Sequence, residues 1–345
     1  MAAPNILCDC TGMSEKRWLE CREHGPKGDI EYTVGGSDVA VIFGLSPWTT
    51  PLELWMVKKG RMKPKAPPNP KQLLMGHMLE PIAAHFYGLQ TGNTVIDDNH
   101  LYQHANLEYA LANIDRRYMR KEDGESGVLE CKSLTFHKAA DWADGAIPIY
   151  YELQLRYYLA VMDQRHGAFS ALWGNNPEHD LATPHIERDR AREDIIFEKL
   201  DRWIWSLRHD KPPTMEDVKP NLAMAALARI YGASKKGLST IEFPMKFEPK
   251  LRKIAALQKE NTELKGMIKK NEEAIEAHSV RIAELMKNHE HGILTTTTDK
   301  LLVDFATEVT KRVNSDYLKK EYPSVYAEAL RSSKRRKIKV TIQPV

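Results

Sequence analysis

The sequence predicts an α/β fold with a central mixed sheet flanked by helices, extended at the C-terminal side by a long coiled-coil-like helix and a small β element. Three observations predict it. Apolar residues recur at helical spacing over residues 73–86 and 150–162. Short strand-like runs at 94–96, 107–114, 127–134 and 168–173 alternate with these helical stretches. Beyond Pro213 the composition shifts to a charged segment with a seven-residue apolar repeat.

Each element follows in order. Residues 14–21 read as a short helix with Ser14 as its N-cap. The turn Gly35-Gly36-Ser37-Asp38 introduces an apolar helix over 39–45, capped by Ser37 or Asp38, and 51–59 is helical again. Prolines 64, 67, 68 and 70 make 63–71 an exposed connection. The next helix carries Leu73, Leu74, Met78, Leu79, Ile82 and Phe86, with Glu80 at the joint where Pro81 restarts or kinks it. Strands follow, then helix 150–162, strand 168–173 and a charged amphipathic helix over 188–208.

From about 247 to 288 the heptad seam is explicit. Ile254, Asn261, Ile268, Ile275 and Ile282 hold one position; Leu257, Leu264, Asn271, His278 and Leu285 hold the other. The polar members set register rather than add stability, as in a modest coiled coil or a helix packed on its own body. Short strands at 294–298 and 337–342 surround a helix at 315–330. The expected division is therefore 1–213 as the α/β domain, 214–292 as helical linker and coiled coil, and 293–345 as a small basic α/β element.

Composition narrows the function classes. The 345 residues hold 50 Lys and Arg against 47 Asp and Glu, a net +3 too balanced to prove nucleic-acid binding by itself. Basic residues do crowd at Arg331, Lys334, Arg335, Arg336, Lys337 and Lys339. No run reaches the ~20 apolar residues that span a bilayer, and the first nine residues lack a signal-peptide pattern, so a cytoplasmic protein without a membrane partner is expected. Four cysteines suit a reducing compartment, although Cys8, Cys10, Cys21 and His24 have a spacing that could bind zinc.

The chemistry concentrates around Asp115, Glu130 and Lys132. Asp115 ends an apolar segment, and in the strand Val128-Leu129-Glu130-Cys131-Lys132 alternation puts Glu130 and Lys132 on one face. Burying such charges costs several kcal/mol unless they are paired or bind a metal. Asp115, Glu130 and the Cys131 backbone carbonyl are the hard oxygen ligands Mg²⁺ prefers, with Mn²⁺ equally accommodated. Lys132 would then orient or deprotonate water and stabilise negative charge during phosphodiester hydrolysis. A cross-strand salt bridge on an exposed face is the structural alternative.

Five motifs in order, Gly36-Ser37-Asp38, the Gly76 to Pro81 stretch with Leu-Glu-Pro, Asn113-Ile114-Asp115, Leu129-Glu130-Cys131-Lys132 and Tyr151-Glu152-Leu153-Gln154, resemble the YqaJ-like viral recombinase family over roughly residues 18–213. That family is related to lambda exonuclease among the PD-(D/E)XK nucleases. The resemblance implies a restriction-endonuclease-like core, with Asp115 and Glu130 as metal ligands, Lys132 as the catalytic lysine and Glu80 as an acidic helix residue supporting the metal. It makes Gln154 the glutamine that holds the active site and Ser37 a phosphate-binding serine. Arg22, after Trp18, resembles an arginine that grips a terminal 5′-phosphate, with residues 24–34 inserted before Ser37. Tyr151 and Tyr158 share a helix face with Gln154, as core packing or as DNA contacts.

The implied function is a Mg²⁺-dependent exonuclease on double-stranded DNA ends, 5′ to 3′, working for phage-type recombination in a bacterial or phage-infected cell. The resemblance also implies a single-strand annealing protein as partner and a homo-oligomer, a trimer among the options. Two alternatives stay open: a structure- or sequence-specific endonuclease, and a non-catalytic DNA-binding assembly protein.

Overall fold

The computed structural model describes residues 3–65, 69–173, 181–232, 240–307 and 313–330. Two compact units are distinct, Met1–Gly232 and Ala233–Val345. The first runs past the expected boundary at 213, because a helix at its end packs back through buried Ala223 and Ala226 and pairs Arg229 with the buried Glu53. The basic stretch at 331–339 and the expected strand 337–342 lie outside the described residues.

In the first unit the elements run β1 (Asn5–Asp9), α1 (Glu15–His24), α2 (Gly36–Ile42), α3 (Pro51–Lys58), α4 (Pro70–Thr91), β2 (Thr94–Asp97), β3 (His100–His104), β4 (Leu107–Ala112), β5 (Arg116–Met119), β6 (Ser126–Ser133), α5 (Ile149–Met162), β7 (His166–Leu172), β8 (Leu181–Ala182), β9 (His185–Glu187), α6 (Arg190–Arg208) and α7 (Pro220–Tyr231). Caps follow the sequence: Ser14 accepts from Arg17 N–H, Thr50 from Glu53 N–H and Asn69 from Gln72 N–H. The cap of α2 differs from expectation. Gly35 is its N-cap residue, the Asp38 carboxylate accepts the Gly35 N–H, and Ser37 lies inside the first turn. Helix α4 continues through Pro81 rather than restarting there.

Among the described residues, β2, β5, β6, β7, β8 and β9 form a six-stranded sheet in which β6 and β7 are parallel and the other pairings antiparallel. The parallel pair needs a long crossover, which α5 supplies. The sheet is thus mixed and flanked by helices, the predicted α/β class. β1, β3 and β4 form a second, antiparallel sheet. The expected strand 107–114 stops at Ala112, because the chain leaves this second sheet and enters β5 of the first; Asp115 sits in that crossing, directly before β5.

Burial sorts the faces of β6. Leu129 and Cys131 pack beneath α4 with Ala83, Ala84 and Tyr87. On the other face Val128 joins α2, α5 and α6 in the main core, where Leu155 and Leu159 are fully buried. Truncating either leucine to alanine would cost roughly 2–5 kcal/mol. The approach of α5 to α2 is tight: a Cβ on Gly36 would lie 2.5 Å from the Tyr158 ring, so only glycine fits there.

The second unit holds α8 (Glu248–Met286), the antiparallel hairpin of β10 (His291–Thr295) and β11 (Lys300–Asp304), and the short helices α9 (Ser315–Glu321) and α10 (Pro323–Ala329). The single helix expected over 315–330 is broken at Tyr322, whose backbone turns non-helical ahead of Pro323. Among the described residues no helix is long and apolar enough to cross a membrane.

Candidate active site

The ladder between β5 and β6 ends at Arg116 and Leu129, so the β5 side of β6 is unpaired from residue 130 onward. Asp115 fills this gap. Its Oδ2 accepts the Cys131 N–H at 2.8 Å, replacing the missing backbone partner. In an extended strand a residue's N–H and C=O leave on the same edge, so the Cys131 carbonyl points to the Asp115 side.

Glu130 and Lys132 share the α5 face of β6, as alternation predicted, and their side chains pair directly. Glu130 is 1% exposed. Its Oε1 also accepts from Gln154 Nε2 at 2.5 Å, and Gln154 reaches the Tyr158 hydroxyl at 3.3 Å. Its Oε2 is buried and has no hydrogen-bond partner. Lys132 Nζ lies 5.1 Å from the centre of the Tyr151 ring. Glu80, on α4, comes to the same place held by Arg116 at 2.8 Å, and Arg116 also binds Asp97 at 2.8 Å and the Asp115 carbonyl at 2.5 Å.

The electrostatics are those of crowded acids. Burial, and then the charge of Asp115, pushes Glu130 up to about 8, against the pull of Lys132. Burial and Asp115 likewise raise Glu80, with Arg116 opposing. Burial alone would lower the Lys132 pKa, but Glu130 and Asp115 more than reverse it, so the side chain stays an ammonium. Tyr158 and Tyr151 are raised by burial and stay neutral.

One cavity of about 780 Å³ unites these groups. Glu80, Asp115, Glu130, Lys132, Gln154, Ser37, Arg22, Tyr151 and Tyr158, all singled out from the sequence, line it. Tyr158 is 4% exposed and packed on Gly36, a core role that leaves only part of its ring at the wall. Arg22, despite the intervening residues 24–34, lies over the Trp18 ring at 4.5 Å and within 3.3 Å of where a Gly35 Cβ would stand, beside the start of α2. Sequence reasoning missed Arg116, which neutralises Glu80, and Asn113, which accepts from Trp18 Nε1 at 2.8 Å. Asn113 belonged to a recognised motif; nothing in the sequence pattern pointed Arg116 at Glu80.

A divalent cation fits the donor set chemically. The carboxylates of Glu80, Asp115 and Glu130 crowd together, Glu130 Oε2 has no hydrogen-bond partner, and hard oxygens of this kind suit Mg²⁺ or Mn²⁺. Among the described residues no three His, Cys, Asp or Glu side chains form a metal-ligand group. The same holds for Cys8, Cys10, Cys21 and His24. Cys21 is buried in an apolar cluster, His24 turns to the Ile30 carbonyl at 3.4 Å, and burial pushes the Cys10 thiol up to about 12.

Residues 17–165 match the YqaJ-like viral recombinase domain. The uncharacterized protein YqaJ of Bacillus subtilis (strain 168) is 26% identical over 324 residues, covering 93% of this chain and 92% of that protein. Among solved structures, an alkaline exonuclease (LHK-Exo) from Laribacter hongkongensis is 19% identical and overlaps 57% of this chain and 94% of its own, with a TM-score of 0.46. A phage related exonuclease from Haemophilus somnus 129PT is 15% identical over 50% of this chain and 91% of its own, with a TM-score of 0.37. Arg22, Ser37, Glu80, Asp115, Glu130, Lys132, Tyr151, Gln154 and Tyr158 all lie within the residues that match the YqaJ-like viral recombinase domain.

Proposed function

We propose that this protein is a divalent-metal-dependent DNA exonuclease that hydrolyses phosphodiester bonds from double-stranded ends, 5′ to 3′, and so supplies single strands to an annealing protein during phage-type recombination in the cytoplasm of a bacterial cell. The observation that carries it is the orphaned oxygen of Glu130, crowded by Asp115 and Glu80 beside a charged lysine on one cavity wall.

Asp115, Glu130 and the Cys131 carbonyl would hold Mg²⁺ or Mn²⁺, with Glu80 supporting them. When bound, the metal supplies Lewis-acid polarisation of the scissile phosphate and a more acidic water. Lys132, held as an ammonium, orients the attacking water and stabilises negative charge on the phosphoryl oxygens; this favours its orienting role over proton abstraction. Gln154 fixes the Glu130 carboxylate, and the Tyr151 ring steadies Lys132. Arg22 and the Ser37 hydroxyl, at the N-terminal end of α2, grip the terminal 5′-phosphate.

The test is digestion of a linear duplex labelled at one 5′ end, with 5′-phosphate or 5′-hydroxyl, in Mg²⁺ or EDTA, for wild type and Lys132→Ala. Metal-dependent nucleotide release, faster from the phosphorylated end and abolished in the variant, is the expected result. Nicking of a circular plasmid while linear ends survive would replace the exonuclease with an endonuclease. Failure to cut any DNA would leave a DNA-binding assembly protein.

A further inference from the structure

Helix α8 is 39 residues long, and the apolar members of its seam from Leu257 to Leu285 are exposed among the described residues. Ile268 is 56% exposed, Ile275 66% and Leu285 82%. Helices of this kind draw most of their stability from packing of the apolar stripe rather than from propensity, so a bare seam asks for a second surface. We propose that α8 pairs in parallel and in register with α8 of a second copy of this chain, as a two-stranded coiled coil.

The seam composition sets the strand number. Isoleucine fills four of the five positions in the row that starts at Ile254, and leucine three of the five in the row that starts at Leu257. β-branched residues at the first position with leucine at the second favour two strands, whereas isoleucine at both favours more. The one polar residue of the isoleucine row is Asn261, the residue type that fixes dimeric register by bonding its own copy. A shift by one heptad would set Asn261 against Ile268 and leave its amide unpartnered.

Charge decides the direction. In a parallel in-register pair Glu260 on the flank of one helix meets Lys265 of the other, twice per dimer. The antiparallel register that matches Asn261 with Asn271 would instead bring Lys265 against Lys265 and Lys253 against Arg281, both like-charge contacts. Pairing through α8 is independent of any chemistry at the cavity of the first unit.

Sedimentation equilibrium of the full chain at micromolar concentration tests this. The expected mass is twice that of the chain, falling to one chain in Ile268→Lys/Ile275→Lys. Glu260→Lys, a surface change that leaves the seam intact, is expected to weaken the dimer by about tenfold, and adding Lys265→Glu restores it. A mass of one or three chains for the wild type, or a dimer indifferent to the seam substitutions, overturns the proposal. So does a dimer that responds to the seam but not to Glu260→Lys, because parallel pairing requires that contact.

Discussion

Asp98 and Glu130 are both buried carboxylates of the same unit, and their surroundings are opposite. Asp98 accepts from Arg117 Nε at 2.6 Å, from the Tyr102 hydroxyl at 2.7 Å and from the His100 N–H at 3.1 Å. Burial alone would raise its pKa, but these donors outweigh burial and hold it below the usual carboxylate range. Glu130 concentrates its contacts on one oxygen, leaves the other bare and faces a second carboxylate. A buried acid with every lone pair met ties the fold together. One left short of partners is, on the proposed reading, kept ready for a cation, and the fold bears its cost.

The contrast can be broken most directly at the chemistry. Glu130→Gln and Lys132→Ala should each lower kcat/KM for duplex digestion, per folded molecule, by roughly a thousandfold. Activity retained in either variant would make the crowded acid merely structural. Asp98→Asn should do the reverse, costing about 3 kcal/mol in urea unfolding while cleavage per folded molecule persists. Its pH dependence has a definite sign. Because the folded pKa of Asp98 is depressed, its contribution is complete above the unfolded value of about 4 and is lost as pH falls through the lower folded value. The stability gap between wild type and Asp98→Asn should therefore close in acid.

A smaller effect sharpens the same contrast. Mg²⁺ at a hundred times its Kd should stabilise the wild type by about 2.7 kcal/mol, read as a rise in Tm. Asp98→Asn should keep that rise and Glu130→Gln should lose it; equal responses would erase the distinction. Smallest of all, Gln154→Ala should reduce kcat by about tenfold without abolishing cleavage, since it removes one neutral donor from a carboxylate that Lys132 still holds.

The parts of this design that obey local rules were legible in the sequence. Alternation placed Glu130 and Lys132 on one face and Leu129 and Cys131 on the other, and helical spacing found α4, α5 and α6 within a few residues. What was not legible depends on contacts between distant segments. The strand expected over 107–114 ends instead at Ala112, because two sheets exchange the chain at Asn113 and Ile114, and neither periodicity nor propensity reports a change of sheet. The short strand β1 had no alternation to betray it and exists by pairing with β3. Arg116 looked like any charged residue until the fold brought Glu80 and Asp97 to either side of it.

The missing side chain at Gly36 has one more consequence. The Tyr158 ring occupies the space a Cβ would need, so the start of α2 and the helix bearing Gln154 are locked at a single separation. On the proposed reading, the first holds the end of the strand and the second braces the point of cutting. The bare α-carbon at residue 36 thus fixes the span between those two duties, and a methyl group there would pry the gripping end and the bracing helix apart.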